Sequence, residues 1–221
     1  SFLKDSTTEI TSNLELAKLH DKNNNLNTAL KHYGVALKLA KKENNNQQLS
    51  EIHYDIATIY DDLNQISKAK KHYEAALTYD KRLGNLEGQA MNLNNLANLE
   101  IVSKNPDSAI KYYSDALAIV DKSNDYSAKA DILSNIAQVY RSINNDKQAV
   151  KYYKESLKAD ELAKNTEGFN KTLLNMANIF EDHGMLEKAS KCYKKLLANA
   201  RDLNDRRLVA FANNKLAYIS A

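Results

Sequence analysis

Small and apolar residues return along this chain at a fixed interval. Ala17, Ala57, Ala97, Ala137, Ala177 and Ala217 are each 40 residues apart, with no insertion or deletion between them. Ala29, Ala69, Ala109, Ala149 and Ala189 keep the same step. So do Tyr33, Tyr73, Tyr113, Tyr153 and Tyr193, followed four residues later by Leu37, Leu77, Leu117, Leu157 and Leu197. Within one period the apolar spacing is helical. Leu93, Leu96, Ala97 and Leu99 share one stripe of a first helix, and Ala109, Tyr113, Ala116 and Leu117 share one stripe of a second. Each period therefore predicts a helical hairpin.

The ends of these helices are also marked. Asn45, Asn85, Asp125, Asn165 and Asp205 recur just before each first helix, where a short acceptor side chain caps free N–H groups. Inside the hairpin, Asn105 precedes Pro106, and a Pro at the first helical position loses no hydrogen bond. Asn24, Asn64, Asn144 and Gly184 occupy the equivalent turn position and suit a left-handed backbone; only Lys104 departs in residue type. One hairpin cannot bury both of its faces, so stability is expected from stacking of neighbours. The expected architecture is all-α, a right-handed α-solenoid of five hairpins plus one terminal helix. It is read as a single domain over 1–221, with periods of about 6–44, 45–84, 85–124, 125–164 and 165–204 and a terminal helix at 205–221.

Composition narrows the picture further. Five Gly and one Pro in 221 residues cannot supply the turns that sandwiches and barrels need. One Cys builds no disulfide framework, and no apolar run approaches the roughly 18 residues of a membrane span. The start carries no signal-peptide core, and the cytoplasm is the default expectation. The chain opens without Met, which points to a processed chain or a fragment. With 31 basic and 28 acidic residues the net charge is +3, too balanced to argue for nucleic acid or an anionic membrane.

The pattern resembles the tetratricopeptide repeat (TPR) family over essentially the whole chain. The residues that carry the resemblance are the Ala17 series, the aromatics Tyr60, Tyr140 and Phe180 three positions on, the Ala29 and Tyr33 series, and the small Ala36, Ala76, Ala116 and Ser156. The family's usual unit is about 34 residues. The longer period and the motif Leu93-Asn94-Asn95-Leu96-Ala97 look like a 40-residue subgroup found in kinesin light chains, Pins-type adaptors and bacterial Rap-type receptors. The resemblance implies a concave groove, lined by the first helices, that binds extended peptides.

Helical-wheel geometry puts four positions of each first helix opposite the apolar stripe: six before, two before, one after and five after the alanine. Three candidate features lie there. Asn95, Asn135 and Asn175 form an amide row, with Asn98, Gln138 and Asn178 one turn on. A carboxamide both donates and accepts, so such a row can pair with a peptide main chain whatever its sequence. In the resembled subgroup, Asn at the place of Asn95 is typically a ligand contact. Glu51, Asp55 and Asp62 form an acidic group that could attract a basic ligand residue or be a solvated face. Met91 and Val102 could hold a ligand side chain or be tolerated exposure.

Catalytic chemistry is not indicated. None of the five His forms a ligand set, so no metal or cofactor is expected, and His32 and His72 read as surface positions. Cys192 reads as a partly exposed structural residue. The Lys-rich second helices, such as Lys147, Lys151, Lys154 and Lys158, read as a solvated outer face. The expectation is a protein–protein interaction scaffold, not an enzyme, taking an extended peptide and neither nucleic acid nor membrane. Its exposed ends can stack with copies of themselves. The alternative is a sensory or regulatory segment of a larger signalling protein.

Overall fold

The computed structural model describes residues 2–220. Eleven helices account for them: α1 (Phe2–Lys22), α2 (Leu26–Lys42), α3 (Asn46–Asp62), α4 (Ile66–Leu83), α5 (Leu86–Val102), α6 (Pro106–Ser123), α7 (Tyr126–Ser142), α8 (Asp146–Ala163), α9 (Thr166–Asp182), α10 (Leu186–Asp202) and α11 (Arg206–Ser220). Among the described residues there is no strand. The architecture is an all-α solenoid of paired helices.

The turns are more regular than the sequence suggests. A left-handed residue recurs every 20 positions, at Asn24, Asn44, Asn64, Gly84, Lys104, Asn124, Asn144, Lys164, Gly184 and Asn204. Lys104, which departs in type, adopts the same backbone, with φ of 61°. After nine of these ten residues the next N–H reaches back to the carbonyl five positions before it, as from Asn25 to His20 and from Asn165 to Asp160. This is the Schellman closure, which satisfies the last carbonyls of a helix. The next helix then starts at once. Side chains of Asn45, Asn85, Asp125, Asn165 and Asp205 accept from backbone N–H groups three residues on, so all five expected caps are formed.

The chain divides into two compact units, residues 1–119 and 120–221. In the first, α1 through α5 pack each on the next. Ala17, Ala29, Tyr33, Ala36 and Ala40 meet Leu49, Ile52, Ile56 and Ile59 in one core. In the second, α7 through α11 likewise pack in succession, and Ala137, Ala149, Tyr153, Leu173, Met176, Ala177, Ala189 and Tyr193 form the core. The first five alanines of the Ala17 series are fully buried. Ala217, on the last of the described helices, is exposed.

One buried carboxylate ties three helices together. Asp80, 2% exposed near the end of α4, accepts from Ser50 Oγ of α3 at 2.7 Å, Asn85 Nδ2 at 2.9 Å and Asn92 Nδ2 of α5 at 2.8 Å. The same arrangement returns 80 residues on, more sparsely, where Asn165 Nδ2 donates to Asp160 at 2.9 Å. Each carboxylate leaves no room for a side chain on the following helix: a Cβ on Gly88 would lie 2.5 Å from Asp80 Oδ2, and one on Gly168 2.4 Å from Asp160 Oδ1.

Glycine tolerates the left-handed region where lysine is strained, so Lys104→Gly and Lys164→Gly are expected to raise unfolding stability by up to about 1 kcal/mol each. Urea denaturation checks this, and a loss at both sites would contradict the turn geometry. Gly88→Ala is expected to lose about 1–3 kcal/mol despite alanine's better helix propensity, because Asp80 must break hydrogen bonds to make room. A stabilised Gly88→Ala protein would show that the carboxylate is not pinned.

Candidate functional site

Of the candidate residues, the first unit holds Glu51, Asp55 and Asp62 on α3 and Met91, Asn95 and Asn98 on α5. The acidic trio does not stand alone. Lys18 of α1 reaches across, its Nζ 2.5 Å from Glu51 and 4.0 Å from Asp55 Oδ2. The hydrogen bond to Glu51 raises the Lys18 pKa. Asp55 is the unusual member. Its Oδ2 is buried with no hydrogen-bond donor in range. Burial pushes its carboxyl up to about 6, against the pull of Lys18 and the Tyr33 hydroxyl and with Glu51 and Asp21 adding to the rise. Asp62 is exposed at the end of α3, and its charge helps raise the carboxyls of Asp21 and Asp61 after burial has done so.

On α5, Met91 and Val102 are 44% and 57% exposed and flank the half-buried Asn95 and Asn98. Asn98 is already engaged, its Oδ1 accepting from the Tyr113 hydroxyl. The second unit holds the other amides. Gln138 Nε2 lies 3.5 Å from Asn135 Oδ1, while Asn175 and Asn178 stand half-buried on α9. Beside them Arg141 pairs with Asp182 at 3.0 Å, and Lys215 of α11 with Glu181 at 2.7 Å. The amides thus fall in two sets, Asn95 and Asn98 in one unit and the other four in the other.

Two features of these surfaces escape a reading by periodicity. Lys18 lies on the expected stripe, but its pairing spans 33 residues. The Tyr33 series reads as core bulk, and its rings are indeed buried. Its hydroxyls, however, meet polar groups of the first helices: Tyr33 near Asp55, Tyr113 on Asn98, Tyr193 near Glu181 and Lys215. Tyr153 Oη and Tyr193 Oη are buried without a hydrogen-bond partner of good geometry, so Tyr193 is near its polar neighbours and not bonded to them. The five-fold recurrence of Tyr, where Phe would fill the same volume, is the signal that points to the hydroxyl.

The histidines and the cysteine need correcting. His72 is half-buried and its Nδ1 lies 3.0 Å from His53 Nδ1, while His32 Nδ1 lies 3.0 Å from Asn13 Oδ1 and its ring stacks on His20. They are hairpin contacts and not free surface positions, because the residue before each Tyr faces the partner helix. Burial lowers the His53 pKa to about 4. Cys192, at the same repeat position, is buried for the same reason, and burial raises its thiol pKa. Among the described residues no group of three or more His, Cys, Asp or Glu is placed to hold a metal ion, and no helix is long and apolar enough to cross a membrane.

Three family models, each described as a tetratricopeptide repeat, match residues 50–83, 88–161 and 172–207, together well over half of the chain. The chain belongs to the tetratricopeptide repeat family. No curated protein matches it. Several solved structures share the fold at low identity. BtubC (BKLC) from P. vanneervenii is 20% identical, with 91% of each chain covered and a TM-score of 0.76. A signal transduction ATPase with numerous domains (STAND) and a TPR sensor, from Pyrococcus horikoshii, is 16% identical over 97% of this chain, with a TM-score of 0.83. The apo form of RapI is 17% identical over 94% of this chain, with a TM-score of 0.84. The chain spans 33% of the length of the STAND protein and 58% of that of RapI.

The carboxyls of Asp55 and Asp160 both titrate at about 6, against an ordinary value near 4 in an unfolded chain. Between those values the folded state binds more protons, so these groups withdraw stability as the pH rises from about 4 to about 6. Asp55→Asn and Asp160→Asn are therefore expected to gain on the parent protein across that window. Urea denaturation in steps from pH 4 to pH 7 measures the difference, and a difference that stays flat or falls sinks the assignment.

Proposed function

We propose that this TPR chain is a protein–protein interaction scaffold that binds an extended peptide segment along the face formed by its first-type helices, the concave groove of the family. The observation that carries the reading is the set of carboxamides at two repeat positions one turn apart, mostly half-buried and backed by the buried tyrosines. Asn95, Asn175 and Asn178 sit there with their donors and acceptors open to a main chain, which needs both at each step. Met91 and Val102 supply apolar contact beside the first pair. On α3, Lys18 occupies Glu51, so a basic ligand residue is drawn to Asp55 and Asp62 in competition with that internal cation. The longer period and the Asn95 motif favour the 40-residue subgroup.

A second reading is a sensory segment of a larger signalling protein. It is favoured by the STAND protein, whose description names a TPR sensor and of which this chain spans a third.

The test is to capture a partner on the immobilised protein, reduce it to a synthetic peptide by mass spectrometry, and measure the affinity by calorimetry. Changing Asn95, Asn135 and Asn175 together to Ala is expected to weaken binding by at least about 10-fold, since each main-chain hydrogen bond contributes roughly 0.5–1.5 kcal/mol. Unchanged affinity in a folded triple variant would refute the role of the amides.

A further inference from the structure

The second unit carries another concave surface, away from the amides, on the second-type helix α8. A groove of about 1010 Å³ runs along α8 toward the end of α9 and the start of α10. Lys147, Lys151, Lys154 and Lys158 of α8 line it, with Lys188 of α10 opposite. The four α8 lysines follow one another at three or four residues, which places them in a row of about 16 Å along the helix. None of the five is paired with a carboxylate. Lys151 lies over the Tyr152 ring and Lys188 over the Phe180 ring, and of the two acids in the groove Asp146 is engaged by His183 at 2.6 Å. Between the cations lies apolar surface: Val150 half-buried, Ile143 42% exposed and Met185 39% exposed.

This row is not a property of every repeat. The equivalent positions are Asn27, Lys31, Gly34 and Lys38 on α2, Ser67, Lys71, Glu74 and Thr78 on α4, Asp107, Lys111, Ser114 and Ala118 on α6, and Glu187, Lys191, Lys194 and Ala198 on α10. Only Lys151 belongs to the repeated pattern. A face selected merely for solvation has no reason to concentrate lysine at all four positions of one helix above an apolar floor.

We propose that the α8 groove is a second docking site, taking an acidic amphipathic segment of a partner protein, its carboxylates along the lysine row and its apolar side chains on Ile143, Val150 and Met185. Five unpaired ammonium groups fix the sign of the partner, and the apolar floor fixes its amphipathic character. A nucleic acid fits less well. No arginine lines the groove, its exposed ring, the His183 imidazole, is held by Asp146, and Asp146 and Glu155 within it oppose a phosphate backbone.

The probe is a fluorescein-labelled 14-residue peptide with Glu and Leu at amphipathic helical spacing, measured by fluorescence anisotropy against the full chain. Binding that weakens with salt, and at least about 10-fold in the variant Lys151→Glu, Lys154→Glu, Lys158→Glu, supports the site. A second variant, Val150→Ser with Met185→Ser, is expected to weaken the Glu/Leu peptide while sparing oligoglutamate of the same length. Far-UV circular dichroism confirms that both variants fold. Absence of binding, binding that the charge reversals leave unchanged, equal affinity for oligoglutamate, or tighter binding of a single-stranded oligonucleotide of equal length would each overturn the proposal.

Discussion

Everything in this chain depends on its reversing direction every 20 residues with almost no glycine. A left-handed residue ends each of the first ten helices, and the next residue or two begin the following one. Asparagine fills six of the ten positions because its short amide tolerates the left-handed backbone better than other side chains with a Cβ. Since closure of one helix and start of the next share four or five residues, the phase of each helix against its neighbour is set locally. That phase brings Ala17, Ala57, Ala97, Ala137 and Ala177 to the packed side and puts each Tyr of the Tyr33 series into the core.

The features legible in the sequence are those that repeat. Five N-caps, the buried alanines and the hairpin itself follow from a 40-residue step. The features not legible are departures from the repeat, or polar partnerships across it. Glu100 stands where Tyr60, Tyr140 and Phe180 stand in other hairpins, and it is buried by pairing with Lys70 and Asn105. Asp80 looks like a helix-end acid until Ser50, 30 residues earlier, is found to donate to it. Periodicity tells which face a residue occupies, and it is silent about which polar atom on that face meets which.

The candidate binding residues show the same limit. Their positions on the first helices were readable from the wheel, but their availability was not. Asn98 is held by Tyr113, and Glu51 by Lys18, so what remains open is a subset of the predicted row. Charge is also sorted more sharply than the net +3 implies: α2 carries four lysines and no acid, and α3, packed against it, four acids and no Lys or Arg. In that pair the two helices offer ligands surfaces of opposite charge, a contrast that does not extend to α8, where four lysines meet four acids.

The local setting of each turn has a consequence for how such a chain changes over generations. Because a hairpin brings its own stop signals and meets only its neighbours, an in-frame duplication or loss of one period leaves every remaining turn intact. Asp80 and Asp160 lie two periods apart, each with Asn five positions on and Gly eight positions on, while the intervening period has Val120, Asp125 and Ala128. A two-hairpin block copied as a unit would leave such an alternation of buried acids.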